Sequence, residues 1–321
     1  MLDLQRVSKS YGRFRAVTSA TFRLEPGEIA GLLGPNGAGK TTTIRMITGF
    51  LPPDQGSITV AGNDTVLDSL AARRLIGYLP ESAPLYPEMT PASYLSFRAR
   101  LYKLPAADRG PAVNRALDRC WLGDVANKRI GQLSKGYRQR VGLAAAILHD
   151  PRVLILDEPT NALDPTQVRE TRRLIADLAR DRVVLLSSHI LAEVELVCSR
   201  VIVMVRGKIR ADGPPARLIA SAATTCRAEW VSPPGAADAI IADLRSLPGV
   251  SDVSSTQGPG GHTAATIESA AGAGAADLLD AIGRVLHARG ARVTLLTRRD
   301  ASLERLFVEL VEQAADDREA A

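Results

Sequence analysis

Gly34-Pro35-Asn36-Gly37-Ala38-Gly39-Lys40-Thr41 decides how this chain is read. The stretch fits G-x-x-x-x-G-K-[ST], a loop whose glycines let the backbone close around a phosphate. Its surroundings fit too. Ile29-Ala30-Gly31-Leu32-Leu33 reads as a short apolar strand before it, and Thr42-Thr43-Ile44-Arg45-Met46-Ile47 can turn as a helix after it. Successive N–H groups of such a loop point at the anion, and the helix N-terminus adds partial positive charge. The expected binding set runs from Gly34 to Thr42. Pro35, Asn36, Gly37, Ala38 and Gly39 form the turn, Lys40 reaches the β- and γ-phosphates, and the Thr41 hydroxyl ligates Mg²⁺. A glycine-rich turn without a ligand is the bland alternative, and the matching strand, loop and helix weigh against it.

The chain has 321 residues, enough for two domains. Its 45% hydrophobic and 23% charged residues are ordinary for a globular protein. No apolar run reaches the length of a membrane span, and Met1-Leu2-Asp3-Leu4-Gln5-Arg6 lacks the apolar core of a signal peptide. A cytoplasmic location is expected, with any membrane reached through a partner. Cys120, Cys198 and Cys226 form neither a metal-ligand spacing nor a disulfide framework. The net charge of +5 is scattered, which argues against a nucleic-acid footprint.

Residues 1 to about 28 read as strands around Lys9-Ser10-Tyr11-Gly12-Arg13. The Tyr11 ring could stack on a nucleotide base; a tyrosine packed on a turn would look the same. Leu51-Pro52-Pro53-Asp54-Gln55-Gly56 stops the first helix. Ser57–Val60 and Ile76-Gly77-Tyr78-Leu79-Pro80 read as strands, the latter followed by Glu81. Helices are expected over Ala92–Leu104 and Asp108–Cys120, making a helical subdomain hung on a sheet. Ser134 is a good N-cap for a further helix through Leu148. Val153-Leu154-Ile155-Leu156 is fully apolar, as in a parallel sheet, and ends in Asp157-Glu158. Adjacent carboxylates there are costly unless they have a task. Asp157 can enter a Mg²⁺ shell, and Glu158 can polarise a water. Val183–Ser188 is one more such strand, ending at His189. His149, His262 and His287 are expected in turns or at the surface.

After Gly213-Pro214-Pro215 the composition shifts towards Ala, Ser and Gly. The pattern there is strand (227–231), helix (236–247), strand (250–255), a turn at 258–261, strand (263–268), helix (275–288) and strand (291–297). That order, βαββαβ, predicts a small ferredoxin-like domain. A last helix over 302–312 carries Leu303, Leu306, Phe307, Leu310 and Val311 at helical spacing.

Taken together, the phosphate loop, Leu133-Ser134-Lys135-Gly136-Tyr137, the strand ending in Asp157-Glu158, and His189 resemble the ATP-binding subunit of an ABC transporter. The signature and the following Arg138-Gln139-Arg140 resemble the ABC-2 type exporter group, whose members serve gliding motility, drug resistance and copper-site maturation. The resemblance covers residues 1 to about 215. It implies an α/β P-loop ATPase domain (1–215) with a mixed sheet core and a helical subdomain, then an α+β ferredoxin-like accessory domain (222–315). It also implies a homodimer at the cytoplasmic face of the plasma membrane. Two copies would close head to tail on two ATP molecules, with Lys40 and Thr41 of one copy facing Ser134 and Gly136 of the other. Glu158 would be the general base, His189 would position the γ-phosphate, and Thr41, Asp157 and Glu81 would serve Mg²⁺. A groove over Ser82 to about Leu104 would receive a helix of a separate transmembrane permease. The chain departs from the family pattern at Lys135 and Tyr137, and at Glu81, where the family carries glutamine. Two other readings compete. A soluble ABC ATPase acting on nucleic acid would carry a second phosphate loop or long coiled coils. A module that binds ATP without hydrolysis would dispense with Glu158 and His189.

Overall fold

Two units divide the chain, residues 1–215 with 310–321, and residues 216–309. The computed structural model describes residues 1–160, 163–188, 190–221, 225–233, 235–269, 275–299 and 302–319. The first unit opens with a hairpin of β1 (Leu2–Tyr11) and β2 (Phe14–Leu24), turned at Gly12 with φ 59°. β3 (Ile29–Leu33) delivers the phosphate loop, from which α1 (Lys40–Ile47) starts. β4 (Gln55–Val60), β5 (Asn63–Asp64), α2 (Ser69–Arg74) and β6 (Ile76–Leu79) follow. Next come α3 (Pro91–Leu101), α4 (Ala106–Arg119) and α5 (Lys135–Ile147). β7 (Val153–Asp157), α6 (Pro165–Ala179), β8 (Val183–Ser187), α7 (Leu191–Val197), β9 (Arg200–Val205) and β10 (Lys208–Gly213) complete the unit.

Among the described residues these strands form an antiparallel sheet, order β2-β1-β4-β5, and a mixed sheet, order β10-β9-β3-β8-β7-β6. In the mixed sheet only the β9–β10 pair is antiparallel. Parallel strands lie between two covered faces and therefore read as unbroken apolar runs; β3 and β8 are buried along their whole length. The core joins Leu4 and Phe22 of the hairpin to Ile44 of α1 and to Leu32, Ile155 and Ile202 of the mixed sheet. Burying each such side chain contributes about 1.5–3 kcal/mol. The parallel arrangement sends the chain out of β3, β7 and β8 at one end of the sheet, beyond the carboxyl ends of the strands, where open α/β sheets bind ligands.

α3 begins where Pro91 follows the Thr90 N-cap, closed by a capping box with Ser93. It stops at Leu101, earlier than the sequence pattern predicts, because Lys103 adopts φ 57°. The short helices α2 and α7 are too brief to leave a period in the sequence.

α8 (Pro215–Ser221) leads to the second unit, which holds β11 (Thr225–Val231), α9 (Ala237–Arg245), β12 (Val250–Gln257), β13 (His262–Ser269), α10 (Ala275–Ala288) and β14 (Arg292–Arg299). Its antiparallel sheet runs β12-β13-β11-β14. The order βαββαβ is thus the ferredoxin-like one. One sheet face packs Trp230 and Ile267 against Ile240, Leu244, Ile282 and Leu286 of the two helices. α11 (Leu303–Glu319) ends the described chain. No helix among the described residues is long and apolar enough to cross a membrane.

Candidate active site

The phosphate loop is held by close backbone contacts that only glycine permits. A Cβ on Gly34 would lie 2.3 Å from the Met204 carbonyl oxygen. One on Gly39 would lie 2.4 Å from the Ala16 carbonyl oxygen, at φ 105°. Gly37 also lies in the left-handed region, at φ 78°. Lys40 Nζ donates to the carbonyl oxygens of Gly34 at 2.5 Å and Pro35 at 3.2 Å. Burial pulls the Lys40 ammonium down from the usual lysine range, while the Glu158 and Asp157 carboxylates push it back up. The electrostatics thus link the loop lysine to both carboxylates at the end of β7.

A pocket of about 160 Å³ opens over the loop, lined by Tyr11, Phe14, Asn36, Gly37, Lys40 and Thr42 among others. Pro35, Ala38, Gly39 and Thr41 line it as well. Tyr11 and Phe14 flank the hairpin turn and are both exposed, at 47% and 61%. Phe14 escaped the sequence reading because a lone aromatic beyond a turn carries no pattern. The hairpin alone places it beside Tyr11.

Asp157 and Glu158 leave β7 beside β8. Asp157 pairs in register with Ser187, and the Ser187 hydroxyl donates to Asp157 Oδ1 at 2.5 Å. The Glu158 N–H donates to Ser187 at both its carbonyl oxygen and its hydroxyl, each at 3.2 Å. Glu158 itself sits at φ 51°, a conformation non-glycine residues adopt at a cost and one that recurs at working sites. Ser187 is 1% exposed and was not singled out in the sequence, since its role exists only through the strand register. His189, expected to position the γ-phosphate, lies outside the described residues.

No group of three or more His, Cys, Asp or Glu side chains among the described residues could hold a metal by itself. The donors present, a threonine hydroxyl at the loop and an oriented carboxylate at β7, are hard oxygens of the kind Mg²⁺ takes, one or two at a time, together with phosphate oxygens. Glu81 is exposed and lines a different cavity, with Ser82, Leu85, Lys135, Arg138 and Gln139. Gln139 Nε2 reaches the Glu158 carbonyl oxygen at 3.4 Å.

Ser134 caps α5, its hydroxyl accepting from the Tyr137 N–H at 3.3 Å. Neither Ser134 nor Gly136 lines the pocket over the phosphate loop. A Cβ on Gly136 would press on Gln167 Oε1 at 2.3 Å, so the signature turn lies tight against α6. Tyr137, a departure from the family pattern, donates its hydroxyl to Asp124 Oδ2 at 2.9 Å. That bond pushes the Tyr137 phenol up from its ordinary value. Arg140 lies 5.5 and 5.6 Å from the ring centroids of Trp121 and Tyr137 and pairs with Glu170 at 2.6 Å. His149 occupies a turn, as expected, but it is half-buried rather than exposed, stacked on Tyr102 at 3.7 Å. All three cysteines are buried and unpaired.

Residues 17–161 match the family model described as ABC transporter. An uncharacterised ABC transporter ATP-binding protein of Bacillus subtilis, YxlF, is 42% identical over 213 residues, covering 66% of this chain and 70% of that protein. The chain belongs to the ABC transporter ATP-binding proteins. The Nod factor export ATP-binding protein I of Paraburkholderia xenovorans is 40% identical over 222 residues, or 68% of this chain and 73% of that protein. A solved ATP-binding subunit of an ABC transporter superposes with a TM-score of 0.64 at 30% identity, covering 68% of this chain and 91% of that one. This ABC protein is therefore an ATP-binding ATPase.

Proposed function

We propose that this subunit powers export through a separate ABC-2 type membrane permease, working as a homodimer on the cytoplasmic face of the plasma membrane with residues 1–215 as its motor and 222–315 as an accessory domain. One observation carries the dimer. Ser134 and Gly136 sit on α5, away from the pocket that Lys40 and Thr41 line, so a single copy cannot surround a γ-phosphate with both sets. The export reading draws on the similarity to a Nod factor export ATP-binding protein and on the Ser134–Arg140 signature.

In this reading the loop N–H groups and Lys40 would hold the phosphates, Tyr11 would face the base, and Thr41 and Asp157 would hold Mg²⁺; Glu81, which lines a separate cavity in this structure, is the third residue assigned to the metal. The metal, when bound, neutralises charge on the β- and γ-phosphate oxygens. Ser187 fixes the Asp157 carboxylate and the Glu158 backbone. Glu158 accepts the proton of the attacking water, and His189 orients the γ-phosphate. A positioned general base contributes about 10²–10⁴-fold. Glu158→Gln is expected to bind ATP as the wild type does and to lose ATPase activity by about that factor. Wild-type turnover in this variant would refute the assignment. Recovery of a multi-span membrane protein with the tagged chain from detergent extract tests the permease.

A further inference from the structure

Glu158 turns at φ 51° immediately before Pro159. A proline ring pushes the residue before it towards extended backbone. The elbow therefore carries strain from its own left-handed conformation and from its neighbour's ring, and such a turn persists only where the surroundings over-determine it. Upstream the hold is plain: the Glu158 N–H donates to both oxygens of Ser187, each at 3.2 Å. Downstream, Pro159 has no N–H to offer. The first polar side chain beyond it is Thr160, which is 7% exposed, and its hydroxyl donates to Glu193 Oε2.

Glu193 lies in the first turn of α7. Its other oxygen, Oε1, is 3.4 Å from Arg172 Nη2 on α6, and the two side chains are 15% and 24% exposed. The one carboxylate thus joins the exit of β7 to α6 and α7. A hydroxyl donating to a carboxylate makes a shorter bond than one between neutral groups, about twice as strong. With both oxygens engaged, Glu193 offers Thr160 a fixed anchor rather than a swinging one. Glu193 does not line the pocket over the phosphate loop. Its influence on the chemistry runs through Thr160, two residues beyond Glu158.

We infer that Glu193 is a positioning residue for hydrolysis: by anchoring Thr160 it fixes the downstream arm of the elbow and so aims the Glu158 carboxylate at the attacking water. The inference rests on the reading of Glu158 as the general base and adds the group that holds that base in line. Moving a reacting group by about 1 Å can cost about 10²-fold in rate. The phosphate loop, carried by β3 and α1, would keep its hold on the nucleotide meanwhile.

The test is ATPase kinetics of the full-length chain, followed by release of radiolabelled phosphate so that slow variants remain measurable, with binding of a fluorescent ATP analogue as the check on folding. Glu193→Gln and Thr160→Val should each lower kcat about 10- to 100-fold and change KM by less than about twofold. Thr160→Val leaves the Arg172–Glu193 pair in place, so it reads the role even where Glu193→Gln disturbs the fold. Thr160→Ser keeps the hydroxyl and should stay within about twofold of the wild type. In a Glu158→Gln background, Glu193→Gln should cost nothing further, because no base is left to aim; a merely structural loss would multiply with the first. Wild-type kcat in either Glu193→Gln or Thr160→Val, or the same fold-loss from Glu193→Gln in both backgrounds, would overturn the positioning role and leave Glu158 as the base. Wild-type turnover in Glu158→Gln alone would remove the base itself, and this inference with it.

Discussion

Arg140 joins the signature helix to its surroundings, and its removal can be worked out from the structure. The side chain is 10% exposed, lies against the rings of Trp121 and Tyr137, and pairs with Glu170, which is 36% exposed. Arg140→Leu keeps most of the apolar stem but removes the charge. Because Glu170 can return to water, the ion pair counts as partly screened, about 1 kcal/mol. Each ring contact adds about 0.5–1 kcal/mol. The sum is about 2–3 kcal/mol, which in a unit of this size lowers the melting temperature by about 4–12 °C. Calorimetry on Arg140→Leu, Glu170→Gln and the double variant would measure both the loss and the coupling. The coupling between the two positions should be about 1 kcal/mol. A shift below about 1 °C, with no coupling, would refute the clamp and leave Tyr137–Asp124 as the anchor of this turn.

Three further outcomes are expected. His149 is held neutral by burial, its pKa lowered to about 4 from 6.5, so the unfolded chain binds the extra proton between those values. Stability should therefore be complete above pH 6.5 and fall by roughly 3 kcal/mol as the pH drops towards 4; His149→Gln should flatten that slope in urea titrations. Gly39→Ala forces a Cβ towards the Ala16 carbonyl oxygen at an unfavourable φ and should weaken binding of a fluorescent ATP analogue by about 5- to 150-fold, for a strain of about 1–3 kcal/mol. Ser187→Ala removes a charge-assisted hydrogen bond of about 1.5–3 kcal/mol from Asp157. The Mg²⁺ concentration for half-maximal ATPase activity should rise, while metal-free nucleotide binding should not change.

Much of the fold was legible where the signal is local. The phosphate loop, the apolar run into Asp157-Glu158 and the Ser134 cap are each written within a dozen consecutive residues. The element order of the second unit was legible as well, because β11 and β13 alternate and its helices carry apolar stripes. What depends on distant pairing was not. β1 lies between β2 and β4, so the first strand pairs with a segment some fifty residues away, and nothing in Leu2–Tyr11 announces that second partner. Ser187 becomes a latch only through its register with Asp157. Phe14 gains meaning from a hairpin that no short window contains. Brief helices such as α2 and α7 lack the turns needed to show a period, and their form is set by packing rather than propensity.

The hairpin tip has a consequence for ligand choice. Tyr11 and Phe14 line the pocket, and a π-face meets every purine in much the same way. Telling adenine from guanine requires donors and acceptors set against the base edge, and a ring face supplies neither. With the phosphate loop and two ring faces as the proposed contacts, the chain should hydrolyse GTP nearly as readily as ATP, and the cell's supply would then decide which fuel it burns.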